Sequence, residues 1–177
     1  MENKHSKHKK ELGRWGEEAV DRWMEDKKWR PISKNLKIKK GEIDRIYTHQ
    51  AETCDCLHVC LMEIKTSIIF CESSLKSLYT ETGVKRFLKQ RQINNLYRYG
   101  ENLMAQFQQK NIEDFKIYLR FILVFKMDFR PSQKLLAVLE NSHGIKKCHN
   151  EEGLLIFSVE PEFTTSNQRK SLLQIKI

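Results

Sequence analysis

The sequence predicts an α/β sandwich, a central mixed β-sheet flanked by helices, in one folded domain. Three observations carry that expectation. Helix-like and strand-like segments follow one another in the order α, β, β, β, α, β, β. One strand, over about residues 57–66, is apolar on both sides at its middle and so must be covered on both sides. The chain of 177 residues suits one core better than two, and with 3 prolines and 7 glycines it lacks the composition of a long linker.

The first ten residues, "MENKHSKHKK", are basic and polar and are expected as a disordered tail; the domain then takes residues 11–160, with a C-terminal tail over 161–177. From Leu12 the apolar residues Leu12, Trp15, Ala19, Val20, Trp23 and Met24 recur at helical spacing. Gly16 interrupts that stripe at a cost of roughly 1 kcal/mol in helix propensity, which close approach of the helix to a sheet would justify. Pro31 bounds the helical region, and "PISKNLKI" and "GEIDRIYTH" follow as short strands joined by a basic turn that ends in Gly41. On the third strand Leu57, Val59, Leu61, Glu63 and Lys65 share one face, and Cys60, Met62 and Ile64 share the other. A helix is expected over about residues 84–107, then a strong strand in "KIYLRFILVFKMDF", with "KLLAVLE" and "GLLIFSV" as two further strand candidates.

A net charge of +9 and a pI near 9.3 favour polyanionic partners, nucleic acid before acidic lipid. No apolar run approaches the roughly 18 residues of a membrane span, and no apolar segment follows the basic head as in a secretory signal, so a cytoplasmic protein without membrane contact is expected. The 5 cysteines are an odd number, which fits free thiols in a reducing compartment. Cys54, Cys56, His58 and Cys60 are residue types that zinc takes, but their alternating spacing is not the Cys-x-x-Cys of structural sites, and ordinary hairpin thiols are the stronger expectation.

Chemistry concentrates in "LMEIKTS", residues 61–67. Glu63 and Lys65 lie two apart and emerge on the same face, and a hairpin would set Asp44 of "GEIDRI" beside them. Two carboxylates and an amine at one rim suit a hard divalent cation, Mg²⁺ or Mn²⁺, with the Ile64 carbonyl between them as a further oxygen ligand. Such a centre suits phosphodiester hydrolysis, in which Lys65 positions water or offsets developing negative charge.

"GEIDRI" followed by "LMEIKTS" resembles the Asp…Glu-x-Lys core of the PD-(D/E)xK nuclease superfamily. "GRWGEEAVDRWM" is similar to the first helix of the YraN-like family of predicted endonucleases, relatives of Holliday-junction resolvases; "VKRFLKQRQINNLYRYGENLM" is similar to its Lys-Gln helix, and "YLRFILVF" to its next strand. The resemblance runs over about residues 11–127 in the family's order. It implies a restriction-endonuclease-like sandwich, with Glu17 as an acidic residue from the first helix, Asp44 and Glu63 as metal ligands, and Lys65 as the catalytic lysine. Lys89 and Gln90 match the Lys-Gln pair. The chain departs from the family in a longer hairpin before Glu63, in Arg45 where an aliphatic residue is usual, and past Lys134, where no alignment is found.

Helical geometry adds its own weighting. At about 100° per residue Glu17 flanks the first apolar stripe while Glu18 lies nearly opposite it. With Ile93, Leu96, Leu103 and Phe107 as the inward face of the later helix, Lys89 and Gln92 point inward and Gln90 points away, so Lys89 and Gln92 are the expected nucleic-acid contacts. Lys37, Lys39 and Lys40, beside the proposed catalytic strand, are the other DNA-contact candidates. The expected function is a metal-dependent endonuclease acting on DNA, with the preferred DNA form and a homodimer left open. The competing expectation is a nucleic-acid-binding protein that keeps the fold without catalysis.

Overall fold

The structure, a computed structural model, describes residues 4–39, 41–50, 56–77, 87, 89–140 and 145–159. Helix α1 (Lys4–Asp26) packs Ala19, Val20, Trp23 and Met24 onto the sheet. It begins earlier than expected: residues 4–10, read as a disordered tail, are its first turns. That stretch contains neither glycine nor proline and is rich in lysine, a good helix former, so nothing in it interrupts a helix nucleated by the apolar stripe that follows. Gly16 has the role its position suggests. A Cβ there would lie 1.9 Å from Thr66 Oγ1, so α1 stands closer to the sheet than any side chain would permit.

Strands β1 (Arg30–Ile38) and β2 (Gly41–Gln50) form the expected hairpin, and β2 pairs antiparallel with β3 (Leu57–Ile69). Pro31 is tolerated because β1 is an edge strand. A connection carrying the short α2 (Glu72–Lys76) and the long α3 (Gln90–Gln109) leads to β4 (Phe115–Met127), which pairs parallel with β3 from Leu57↔Phe115 to Ile69↔Met127. A parallel pair needs such a crossover, because its strands start at the same end.

The far side departs from expectation in one element. "KLLAVLE" is not a strand but most of helix α4 (Gln133–Glu140), which buries Leu135 and Leu136. Short apolar runs do not distinguish strand from buried helix by spacing, and Lys, Leu, Ala and Glu all favour the helix. The strand at that edge is β5 (Ile145–Glu151), a polar segment that pairs with β6 (Leu154–Val159), the "GLLIFSV" strand. The result is a mixed α/β fold on a six-stranded sheet of order β1-β2-β3-β4-β6-β5. The C-terminal tail, 161–177, lies outside the described residues.

The alternation along β3 divides two cores. Val59 and Leu61 join Ile93 and Leu96 of α3, while Cys60, Met62 and Ile64 join the apolar stripe of α1. The central strand is thus covered by a helix on each side.

Candidate metal centre

The β2–β3 ladder ends at Arg45↔Met62, and there the strands part. Beyond that point β2 runs back to Gly41 paired with β1, and β3 runs on to Ile69 paired with β4. Asp44 and Glu63 are the first residues past the fork. The Ile64 N–H, which finds no ladder partner on β2, donates to Asp44 Oδ2 at 2.7 Å. A broken ladder has to satisfy its donors somewhere, and here a side-chain carboxylate takes the place of a backbone carbonyl. This fork lies within β3 rather than near its end, because the strand continues past the expected limit to Ile69.

Both carboxylates are buried, Asp44 at 8% and Glu63 at 4% exposure. Lys65 Nζ lies 2.5 Å from Glu63 Oε1, and Gln92 Nε2 donates to the same oxygen. Burial, then the charge of Glu63, raises the Asp44 pKa to about 7 against the opposing pull of the Ile64 N–H and Lys65. Burial also raises Glu63, with Glu42 adding to it, although Lys65 and Gln92 favour its ionised form. Among the described residues one ammonium, that of Lys65, stands beside the two acids and opposes the effect of their burial.

Hard divalent cations take oxygen ligands. The fork offers the two carboxylates, and the Gln92 side-chain oxygen beside them is buried without a hydrogen-bond partner. That donor set fits Mg²⁺ or Mn²⁺, with Ile64, whose backbone lies between Glu63 and Lys65, as the further oxygen source. Among the described residues no three carboxylate, imidazole or thiol side chains gather to hold a metal, so a cation at the fork would need neutral oxygens beside the two carboxylates.

Glu17 stands behind that pair, held by Arg45, and its charge is a lesser cause of the raised Asp44 pKa. Its Oε2 lies 2.8 Å from Arg45 Nη1, which also donates to the Asp44 carbonyl at 2.8 Å. Arg45 Nε donates to Asp21 Oδ1 at 2.9 Å, Tyr47 donates to the same oxygen at 2.5 Å, and Lys34 Nζ reaches Asp21 Oδ2 at 2.8 Å. Burial works against ionised Asp21, yet these donors outweigh it and hold its pKa below the usual value. Asp21 was not foreseen; it lies one helical turn after Glu17, so the two share a side of α1, and that spacing was the available signal.

The remaining expected residues divide. Gln92 reaches the fork, as its helical angle predicts, while Gln90 points outward and donates to Asn94. Lys89 is exposed rather than inward: it is the extended residue before the first turn of α3, so a helical angle does not describe it. Lys37 and Lys39 are exposed on β1 and the turn after it, and Lys40 lies outside the described residues. Cys54 lies outside them too. The buried Cys60 thiol is pushed up to about 12, the opposite of what a zinc thiolate requires, and His58 meets the Tyr118 hydroxyl at 3.1 Å.

Comparison of the chain with protein-family models, curated proteins and solved structures finds no match. Among the described residues no helix is long and apolar enough to cross a membrane.

Proposed function

We propose that the β2–β3 fork binds Mg²⁺ or Mn²⁺ and that the protein is a metal-dependent endonuclease hydrolysing phosphodiester bonds in DNA, built as a restriction-endonuclease-like sandwich. One observation carries it. Among the described residues two buried carboxylates from adjacent strands share a single lysine, and burial, followed by the charge of Glu63, raises the Asp44 pKa to about 7. The Asp…Glu-x-Lys order of the sequence and its net charge of +9 point the same way.

A divalent cation at the fork would offset charge on a phosphate and acidify a water molecule. The chain's own residues supply the rest. Asp44, fixed by the Ile64 N–H, and Glu63, oriented by Gln92, hold their oxygens without having to reorganise. Lys65, half-buried at Glu63, is the donor that orients the attacking water or stabilises the developing negative charge. Arg45 sits behind Asp44 and steadies its backbone as a positioning residue.

The test is cleavage of a panel of DNA forms, including duplex, single strand, flap and four-way junction, with and without Mg²⁺ or Mn²⁺. Lys65→Ala and Asp44→Ala are each expected to lose about 100-fold or more in rate while DNA binding persists. Unchanged cleavage in both variants would remove the assignment. A non-catalytic nucleic-acid-binding protein is the second reading, favoured by Glu63 Oε1 already accepting from both Lys65 and Gln92. Calorimetry separates the two: DNA binding with no uptake of millimolar Mn²⁺ selects the second.

A further inference from the structure

The side of α3 that touches the fork continues along the helix. From Gln92 the same side carries Asn95, Tyr99 and Asn102, at i+3, i+7 and i+10. These three, with Arg98 and with Ile38 and Lys39 of the β1–β2 hairpin, line a cleft of about 330 Å³. Its size is that of a small-ligand cleft rather than a surface wrinkle. Asn95, only 6% exposed, closes the cleft against the hairpin: a Cβ on Gly41 would lie 2.6 Å from its Nδ2 and would push the amide aside.

The lining has a definite chemistry. The walls are mostly carbon and include the half-buried Tyr99 ring, while the exposed cations Lys39 and Arg98 also line it, one from the hairpin and one from the helix. A flat apolar body with polar edges and a phosphate on each side matches those features, and that is the chemistry of a nucleotide within a strand. A base paired and stacked inside a duplex cannot present itself to such a cleft; an unpaired one can. The cleft also starts next to the fork, since Gln92 and Asn95 are separated by about 4.5 Å of helix rise.

We infer that this cleft receives an unpaired nucleotide of a DNA strand and that the strand passes from it into the fork, so that the preferred substrate carries a single-stranded segment next to the cleaved bond. The inference rests on the reading of the fork as a phosphodiester-cleaving centre. It also predicts binding that can be measured without cleavage.

The experiment is fluorescence anisotropy in EDTA with the full-length protein, a labelled oligothymidylate and a duplex of equal length. Tyr99→Leu is expected to weaken binding of the oligothymidylate by about tenfold or more, with duplex affinity kept within about twofold. Lys39→Gln with Arg98→Gln, both exposed and therefore safe for folding, is expected to lower the salt slope on the single strand by about 1.4, the value for two lost phosphate contacts. If Tyr99→Leu fails to fold, the exposed pair decides alone. Unchanged single-strand affinity and salt slope, or equal losses on both DNA forms, overturn the cleft. Metal-dependent cleavage with those unchanged affinities overturns the cleft and leaves the fork standing, whereas strand-selective loss in a protein that never cleaves keeps the cleft and removes the fork's catalytic role.

Discussion

The two sides of strand β2 carry the same kinds of residue and resolve them in opposite ways. Toward α1, Arg45 and Lys34 face Glu17 and Asp21, with Tyr47 adding a hydroxyl donor. Two cations meet two anions, and the carboxylate of Asp21 falls below its usual pKa. Toward α3, the cation among the described residues that Asp44 and Glu63 share is Lys65, and burial drives both acids upward. A protein that merely needed to bury charge had the balanced arrangement available one residue away. Under the proposed function the unbalanced side is where a cation would act, while on the balanced side Arg45 holds the Asp44 backbone from behind.

That contrast can be broken at its strongest point first. Arg45→Met leaves Glu17 and Asp21 against an apolar side chain, and urea unfolding is expected to show a loss of about 2–3 kcal/mol. This is below the range for a fully buried pair because Glu17 and Asp21 side chains keep 23% and 19% of their exposure. A negligible loss would mean that the α1 side is no scaffold.

Asp44→Asn should act with the opposite sign. The folded pKa of Asp44, about 7, lies above its ordinary 3.8, so the folded state holds a proton that the unfolded chain releases as pH rises between those values. This group therefore costs wild-type stability progressively across that window, and the whole penalty is present above pH 7. Asn cannot ionise, and its oxygen can still accept from the Ile64 N–H. At pH 8 the variant is expected to gain up to about 4 kcal/mol over wild type, with the gain gone near pH 4, as chemical denaturation at the two pH values would show. A pH-independent difference would contradict the raised pKa.

The smallest effect is the most specific. If a cation must displace the proton at Asp44, Mn²⁺ affinity measured by calorimetry should fall about tenfold per pH unit below 7 and level off above it. A flat profile would mean that the pair is already ionised and that the imbalance is only apparent.

Much of this contrast is visible in the sequence, but not all of it. The alternation of Val59, Leu61 and Glu63 with Cys60, Met62 and Ile64 states which face each residue takes, because a strand's period of two leaves no freedom once both faces are buried. Gly16 is equally legible: a helix rarely gives up propensity at the centre of its apolar stripe except for contact. Gln92 is found by angle where motif matching points to Gln90. Arg45 resists such reasoning. Its departure from an aliphatic residue is visible, but the partners that make it tolerable lie 24 and 28 positions earlier, on another element. Lys89 misleads because the helix starts one residue after it, and α4 because seven residues are too few for their apolar spacing to separate strand from helix, although their propensity favours the helix. The cleft beside α3 joins a hairpin turn to a helix surface, and no local pattern announces a space between elements that are distant in the chain.

The position of the fork also bears on how the protein is made. Asp44 and Glu63 belong to neighbouring strands of one hairpin, both complete before α3 begins, so the acidic pair can assemble from an early, local part of the chain. The partner that covers the other side of β3 comes much later: β4 pairs with all 13 residues of that strand. Until it is synthesised, β3 presents an open edge with an apolar middle, the kind of template that recruits other chains. A shortened protein that stops after α3 would keep the acids of the fork and lose the strand that shields them, and self-association during synthesis is the behaviour to expect of it.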